Sequence, residues 1–105
     1  MVNEEIKRIN EKLKEILNPH AVYLFGSFAN NTNTPDSDYD FYLTVPDDAG
    51  DIIDLTQKAY KALRGIRKRP VDIVINYESC FQNRKNSETL EKKVIEEGVL
   101  LYAEW

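Results

Sequence analysis

Residues 21–29, Ala-Val-Tyr-Leu-Phe-Gly-Ser-Phe-Ala, pass from an unbroken apolar run into a glycine-serine bend. The run Ala21 to Phe25, with its aromatic and β-branched members, reads as a buried strand, and Gly26-Ser27 closes it in a turn. A glycine allows a ligand to approach the backbone closely, and a helix N-terminus offers N–H groups and a positive dipole end. Gly26-Ser27-Phe28-Ala29, set where a strand ends and a helix could begin, therefore has the makings of a phosphate cradle. Taken alone, the same residues describe an ordinary turn with a serine N-cap.

The next segments decide between those readings. Residues 30–38, Asn-Asn-Thr-Asn-Thr-Pro-Asp-Ser-Asp, are polar and turn-forming and predict a surface loop. From Asp38 to Val45 the pattern alternates, with Tyr39, Phe41, Leu43 and Val45 on one side and Asp38, Asp40, Tyr42 and Thr44 on the other. Val71 to Ile75 is a third strand, in which Asp72 points away from Val71, Ile73 and Ile75. Two carboxylates at i and i+2 on a strand share a side, with Cβ atoms roughly 6 to 7 Å apart, so both reach one cation or a close pair. Magnesium takes oxygen ligands, one or two carboxylates with phosphate oxygens, and Asp72 on a neighbouring strand would supply a third carboxylate. Asp38 by itself is a commonplace loop residue. Asp40 and Asp72, embedded in Tyr, Phe, Val and Ile, are not, because a buried carboxylate is costly without a counter-charge. The competing explanation is an edge strand protected by charge.

Flanking segments predict the covering layers. Ile6, Ile9, Leu13, Ile16 and Leu17 recur at helical spacing and stop at Asn18-Pro19. Ile52, Leu55, Ala59 and Leu63, with Gly65 beyond, mark a second amphipathic helix. Residues 77–86 show no clear period and read as a loop or short helix. Leu90, Val94 and Ile95 mark a last helix closed by Gly98, followed by a strand from Val99 to Tyr102. No internal repeat or low-complexity segment interrupts the 105 residues, which are expected to form one domain, 1–105.

Acidic residues outnumber basic ones 18 to 14, a net charge of −4, which argues against gripping nucleic acid by bulk electrostatics. One cysteine, Cys80, permits no internal disulfide, and one histidine, His20, leaves too few soft ligands for an ordinary zinc site. A reducing, cytoplasmic setting is the expectation, since no segment reads as a signal peptide or membrane span.

Gly26-Ser27, ten residues, Asp38-Tyr39-Asp40, then Asp72 on a later strand together resemble the DNA polymerase beta superfamily. Within it the pattern is most similar to the minimal nucleotidyltransferase (MNT) branch, typically Gly-Ser-x-Ala-Arg-Gly, five residues, Ser-Asp-x-Asp. This chain supplies Gly26, Ser27, Ala29, Ser37, Asp38 and Asp40 at that spacing. It departs at Asn30-Asn31, where the branch has Arg-Gly. The arginine is lost, whereas Asn31 can adopt the left-handed conformation a glycine position demands.

The resemblance implies an α+β fold with a mixed β-sheet flanked by helices. It implies ATP or another triphosphate cradled at Gly26 and Ser27, with Ala29 and Ser37 in the nucleotide site. Asp38, Asp40 and Asp72 would be catalytic and would hold Mg2+, two ions being expected, with Asp72 on the second ion or accepting the acceptor hydroxyl's proton. The reaction would move AMP or another nucleoside monophosphate onto an acceptor. In that branch the acceptor is often a HEPN-domain toxin RNase, which the antitoxin binds and AMPylates on a tyrosine, so a hetero-oligomer or a homodimer is the assembly implied. A partner-binding scaffold without transfer, and transfer to RNA or a small molecule, are the alternatives. Three clustered carboxylates predict raised pKa values in the absence of metal.

The remaining signals have structural explanations. The basic stretch Lys58, Lys61, Arg64, Arg67, Lys68 and Arg69 reads as a solvated helix end. His20 reads as a surface residue and Cys80 as packing. Tyr42, on the carboxylate face, is placed to line a nucleotide pocket, and Tyr102 with Trp105 form either a partner anchor or an end folded back on the core.

Overall fold

The computed structural model describes residues 2–104, so Trp105 lies outside the described residues. Helix α1, Glu4–Leu17, opens under an Asn3 cap whose side chain accepts from the Ile6 N–H at 2.8 Å. It ends as Asn18 turns left-handed, φ 48°. Strand β1, Ala21–Phe25, leads into a single 3-10 turn, Gly26–Phe28, and strand β2 spans Tyr39–Val45. Helix α2, Ile52–Ala62, strand β3, Val71–Tyr77, helices α3, Glu78–Arg84, and α4, Leu90–Glu97, and strand β4, Val99–Ala103, follow. The segment without a clear period thus contains a short helix, α3, and both later strands run past their expected ends.

The sheet order is β3-β2-β1-β4. β1 pairs antiparallel with β2 and β4, while β2 and β3 run parallel, which α2 makes possible as the crossover. The sheet is therefore mixed and helix-flanked, as the resemblance implied.

The two sides of β2 enter different packing layers. Tyr39, Phe41, Leu43 and Val45 join Ile6, Ile9, Leu13, Ala59 and Leu63 in the main core beneath α1 and α2. Tyr42 joins Ala21, Tyr23, Phe81 and Val94 beneath α3 and α4. Tyr42 is fully buried and its hydroxyl donates to Glu91 at 2.7 Å, so it is a core residue and not a pocket wall. Of the apolar residues read as the inner face of α4, Val94 alone is buried, while Leu90 and Ile95 are 38% and 43% exposed. The helix is held as much by Glu91, which also accepts from Arg84 at 2.9 Å.

Gly98 closes α4 for a reason other than a left-handed turn, since its φ is −80°. A Cβ there would lie 2.4 Å from the Val94 carbonyl and 3.0 Å from that of Leu24, so glycine lets α4 sit against β1.

Candidate active site

The polar end of the second layer is where the predicted site residues meet. Parallel pairing places Asp40 directly opposite Asp72, and antiparallel pairing places Phe25 opposite Asp40 on its other side. The β1–turn junction, Asp40 and Asp72 therefore stand side by side across three strands. Phe81 packs against Tyr23 and Tyr42 further along, with ring centroids 5.5 and 5.4 Å away, while Asp40 is partly buried and Asp72 exposed.

Gly26 has φ +75°, and a Cβ there would fall 2.3 Å from Asp40 Oδ2. The glycine is thus required twice, by its conformation and by the carboxylate that occupies the space. Burial first, then the charges of Asp72 and Asp38 and a hydrogen bond with Asp72, push the Asp40 carboxyl up to about 6. No lysine or arginine forms an ion pair with Asp38, Asp40 or Asp72 among the described residues. Such a set, short of positive charge and built of hard oxygens beside a glycine-made gap, fits a magnesium ion.

Two features depart from the sequence expectation. The described residues contain no ready-made group of three His, Cys, Asp or Glu side chains at metal spacing. Asp40 and Asp72 meet, whereas Asp38 stands one residue before β2, near enough to affect Asp40 electrostatically. The helix expected after β1 is only a three-residue 3-10 turn, with the Ala29 and Asn30 N–H groups bonded to the Gly26 carbonyl. A macrodipole of one turn contributes little, so any anion here relies on leading N–H groups, which have no acceptor within such a turn.

The other expected residues also make contacts within the frame. Ala29 packs against the main core. Ser37 Oγ accepts from the Thr34 N–H at 2.8 Å, tying the loop to itself. Ser27 lies half-buried inside the turn, its carbonyl accepting from Thr32. Asn31 has φ 63°, the left-handed conformation expected of it, so the turn survives without the branch's glycine. Asn30 spends its side-chain oxygen on Thr32. His20 stands 3.9 Å from Glu78, away from the carboxylates in sequence and strand position.

Sequence reasoning missed Arg69, grouped with the basic stretch. Its Nη1 donates to the carbonyls of Ser37 and Pro35, at 2.8 and 3.2 Å, directly before Asp38. Its place two residues before Val71, where β3 enters the sheet next to β2, was the available signal, but only with the strand order known.

A helix-flanked mixed sheet with carboxylates on adjacent parallel strands beside a glycine turn defines a nucleotidyltransferase-fold protein. The chain belongs to the nucleotidyltransferase domain family, whose model matches residues 6–100. No curated protein matches the sequence. Among solved structures, a chain of a mutant of the toxin-antitoxin MntA-HpeT is similar at 27% identity and a TM-score of 0.66, covering 99% of this chain and 75% of that one. A toxin-antitoxin with AMP-PNP aligns at 24% identity and TM-score 0.64, over 97% and 75% of the two chains. A putative nucleotidyltransferase from Sulfolobus solfataricus aligns at 20% identity and TM-score 0.64, over 95% and 78%. The last two are likenesses of fold. No helix among the described residues is long and apolar enough to cross a membrane.

Proposed function

We propose that this protein transfers a nucleoside monophosphate, AMP from ATP, to a protein acceptor, in the role of an antitoxin acting on a HEPN-domain toxin. The observation that carries the reading is Asp40 paired with Asp72 across parallel strands while its Oδ2 fills the space beside Gly26. The family membership supports nucleotidyl transfer, and the likeness to a chain of the MntA-HpeT pair supports a toxin partner.

Asp40 and Asp72, with Asp38 drawn in, would hold Mg2+, which when bound supplies charge neutralisation for the triphosphate and for the pyrophosphate leaving group. The backbone N–H groups of the Gly26 turn would meet the phosphates, and Ser27 would offer a hydroxyl beside them. Asp72, the most exposed of the set, is placed to accept the proton of an incoming tyrosine hydroxyl. The chain contributes positioning, with no covalent step on the protein itself.

Incubation with α-labelled ATP, magnesium and the product of the adjacent gene tests the reading. Label on a toxin tyrosine, lost in Asp40→Asn, is expected. Tight binding of the toxin with no label at any divalent ion would instead make the protein a scaffold.

A further inference from the structure

Arg69 belongs neither to the carboxylates nor to the Gly26 turn, yet it touches the segments that carry both. Its two carbonyl bonds fall on the residue just before Asp38 and on Pro35 of the same loop. Its guanidinium carbon lies 5.0 Å from the Phe28 ring centroid and 5.4 Å from that of Tyr39. Phe28 is the last residue of the 3-10 turn, and Tyr39 sits between Asp38 and Asp40; their centroids are 4.6 Å apart. Glu5 adds a counter-charge from α1: its carboxylate accepts from the Tyr39 hydroxyl at 2.8 Å and from the Lys68 N–H. Burial opposes ionisation there, but those two bonds and the charges of Arg69 and Lys68 hold Glu5 below the usual carboxylate range.

We propose that Arg69 is a positioning residue that pins the glycine turn and the 32–38 loop to the base of β3, fixing the gap between Gly26 and Asp38. The inference rests on the nucleotidyl-transfer reading for its consequence, though not for its geometry. The polar loop is tied internally only by turn contacts such as Thr34 to Ser37, so its seat on the sheet depends on contacts from outside it, the Tyr39 N–H bond to the Pro70 carbonyl and those of Arg69, and bonds from a charged donor are the stronger kind. A guanidinium can sit near both rings while one of its nitrogens donates to two carbonyls; an ammonium offers one point charge. The other side chains of the basic stretch have no comparable contacts with the loop among the described residues, which separates Arg69 from its neighbours.

The test compares wild type with Arg69→Lys, Arg69→Gln and Phe28→Leu in the full chain. Hydrogen exchange without nucleotide is expected to rise roughly five- to tenfold for amides of residues 32–39 in both Arg69 variants, lysine failing to rescue, with β4 unchanged. Magnesium-ATP affinity is expected to fall roughly tenfold, with the salt dependence of binding as in wild type. Phe28→Leu should give a smaller change in the same segment. Loop protection equal to wild type in both Arg69 variants would overturn the inference, as would a flattened salt dependence, which would make Arg69 a direct phosphate contact. If the wild type itself fails to bind magnesium-ATP, the functional reading falls and the exchange data alone decide the pin.

Discussion

Asp40 carries the strongest electrostatic conflict near the site. Its native pKa of about 6 lies above the ordinary aspartate value, so the folded protein binds this proton more tightly than the unfolded chain does. The stability it contributes is complete below the unfolded value and is lost as pH rises through about 6. Metal-free Asp40→Asn should therefore be more stable than wild type at pH 7.5, by about 1–2 kcal/mol once solvent screening is allowed for, and equal to it near pH 4. Urea denaturation at the two pH values measures both; an identical difference at each would assign the effect to packing. Gly26→Ala should go the other way. It forces a Cβ into Asp40 Oδ2 at a positive φ, costing about 1–3 kcal/mol and displacing the carboxylate, so melting temperature and magnesium-ATP affinity should fall together.

At the scale of elements, α4 depends on two contacts more than on its apolar face. Gly98→Ala meets carbonyl oxygens of Val94 and Leu24, backbone atoms that cannot swing aside, and should cost about 2 kcal/mol or more by denaturant midpoint. Glu91 is buried, bonded to Tyr42 and Arg84, and these bonds outweigh the burial that pushes its pKa up, leaving it below the usual range. With the native value depressed, this contribution is present above the unfolded pKa and lost as pH falls through the folded one. Glu91→Ala should cost about 2–3 kcal/mol at pH 7, because the Tyr42 hydroxyl is left buried without an acceptor, and Tyr42→Phe about 1 kcal/mol. A double-mutant cycle checks that the two losses overlap. α3 reads in the sequence only as a loop or short helix because its one buried anchor is Phe81, which leaves no period in the residues, whereas α4 is legible from Leu90, Val94 and Ile95.

For the whole molecule, ligand linkage gives the simplest measurement. Magnesium with ATP at about a hundred times the dissociation constant should add about 2.7 kcal/mol, a rise in melting temperature on the order of 10 °C, and Asp38→Ala with Asp40→Ala should abolish it. Magnesium without nucleotide should give a smaller rise, since it relieves the carboxylates but meets fewer ligands.

The alternation of Asp38 to Val45, the lone Asp72 among β-branched residues and the glycine-serine bend were readable from the chain itself, because strand periodicity and turn chemistry are local properties of a few neighbouring residues. The left-handed Asn31 was readable for the same reason. Folding alone decided that Asp40 stands opposite Asp72, that Gly26 is required by a carboxylate 14 positions away in the sequence, that the helix after β1 shrinks to one turn, and that Arg69 reaches across to the loop before Asp38. Each of these depends on strand order and on the parallel crossover, long-range arrangements that no short window of residues encodes.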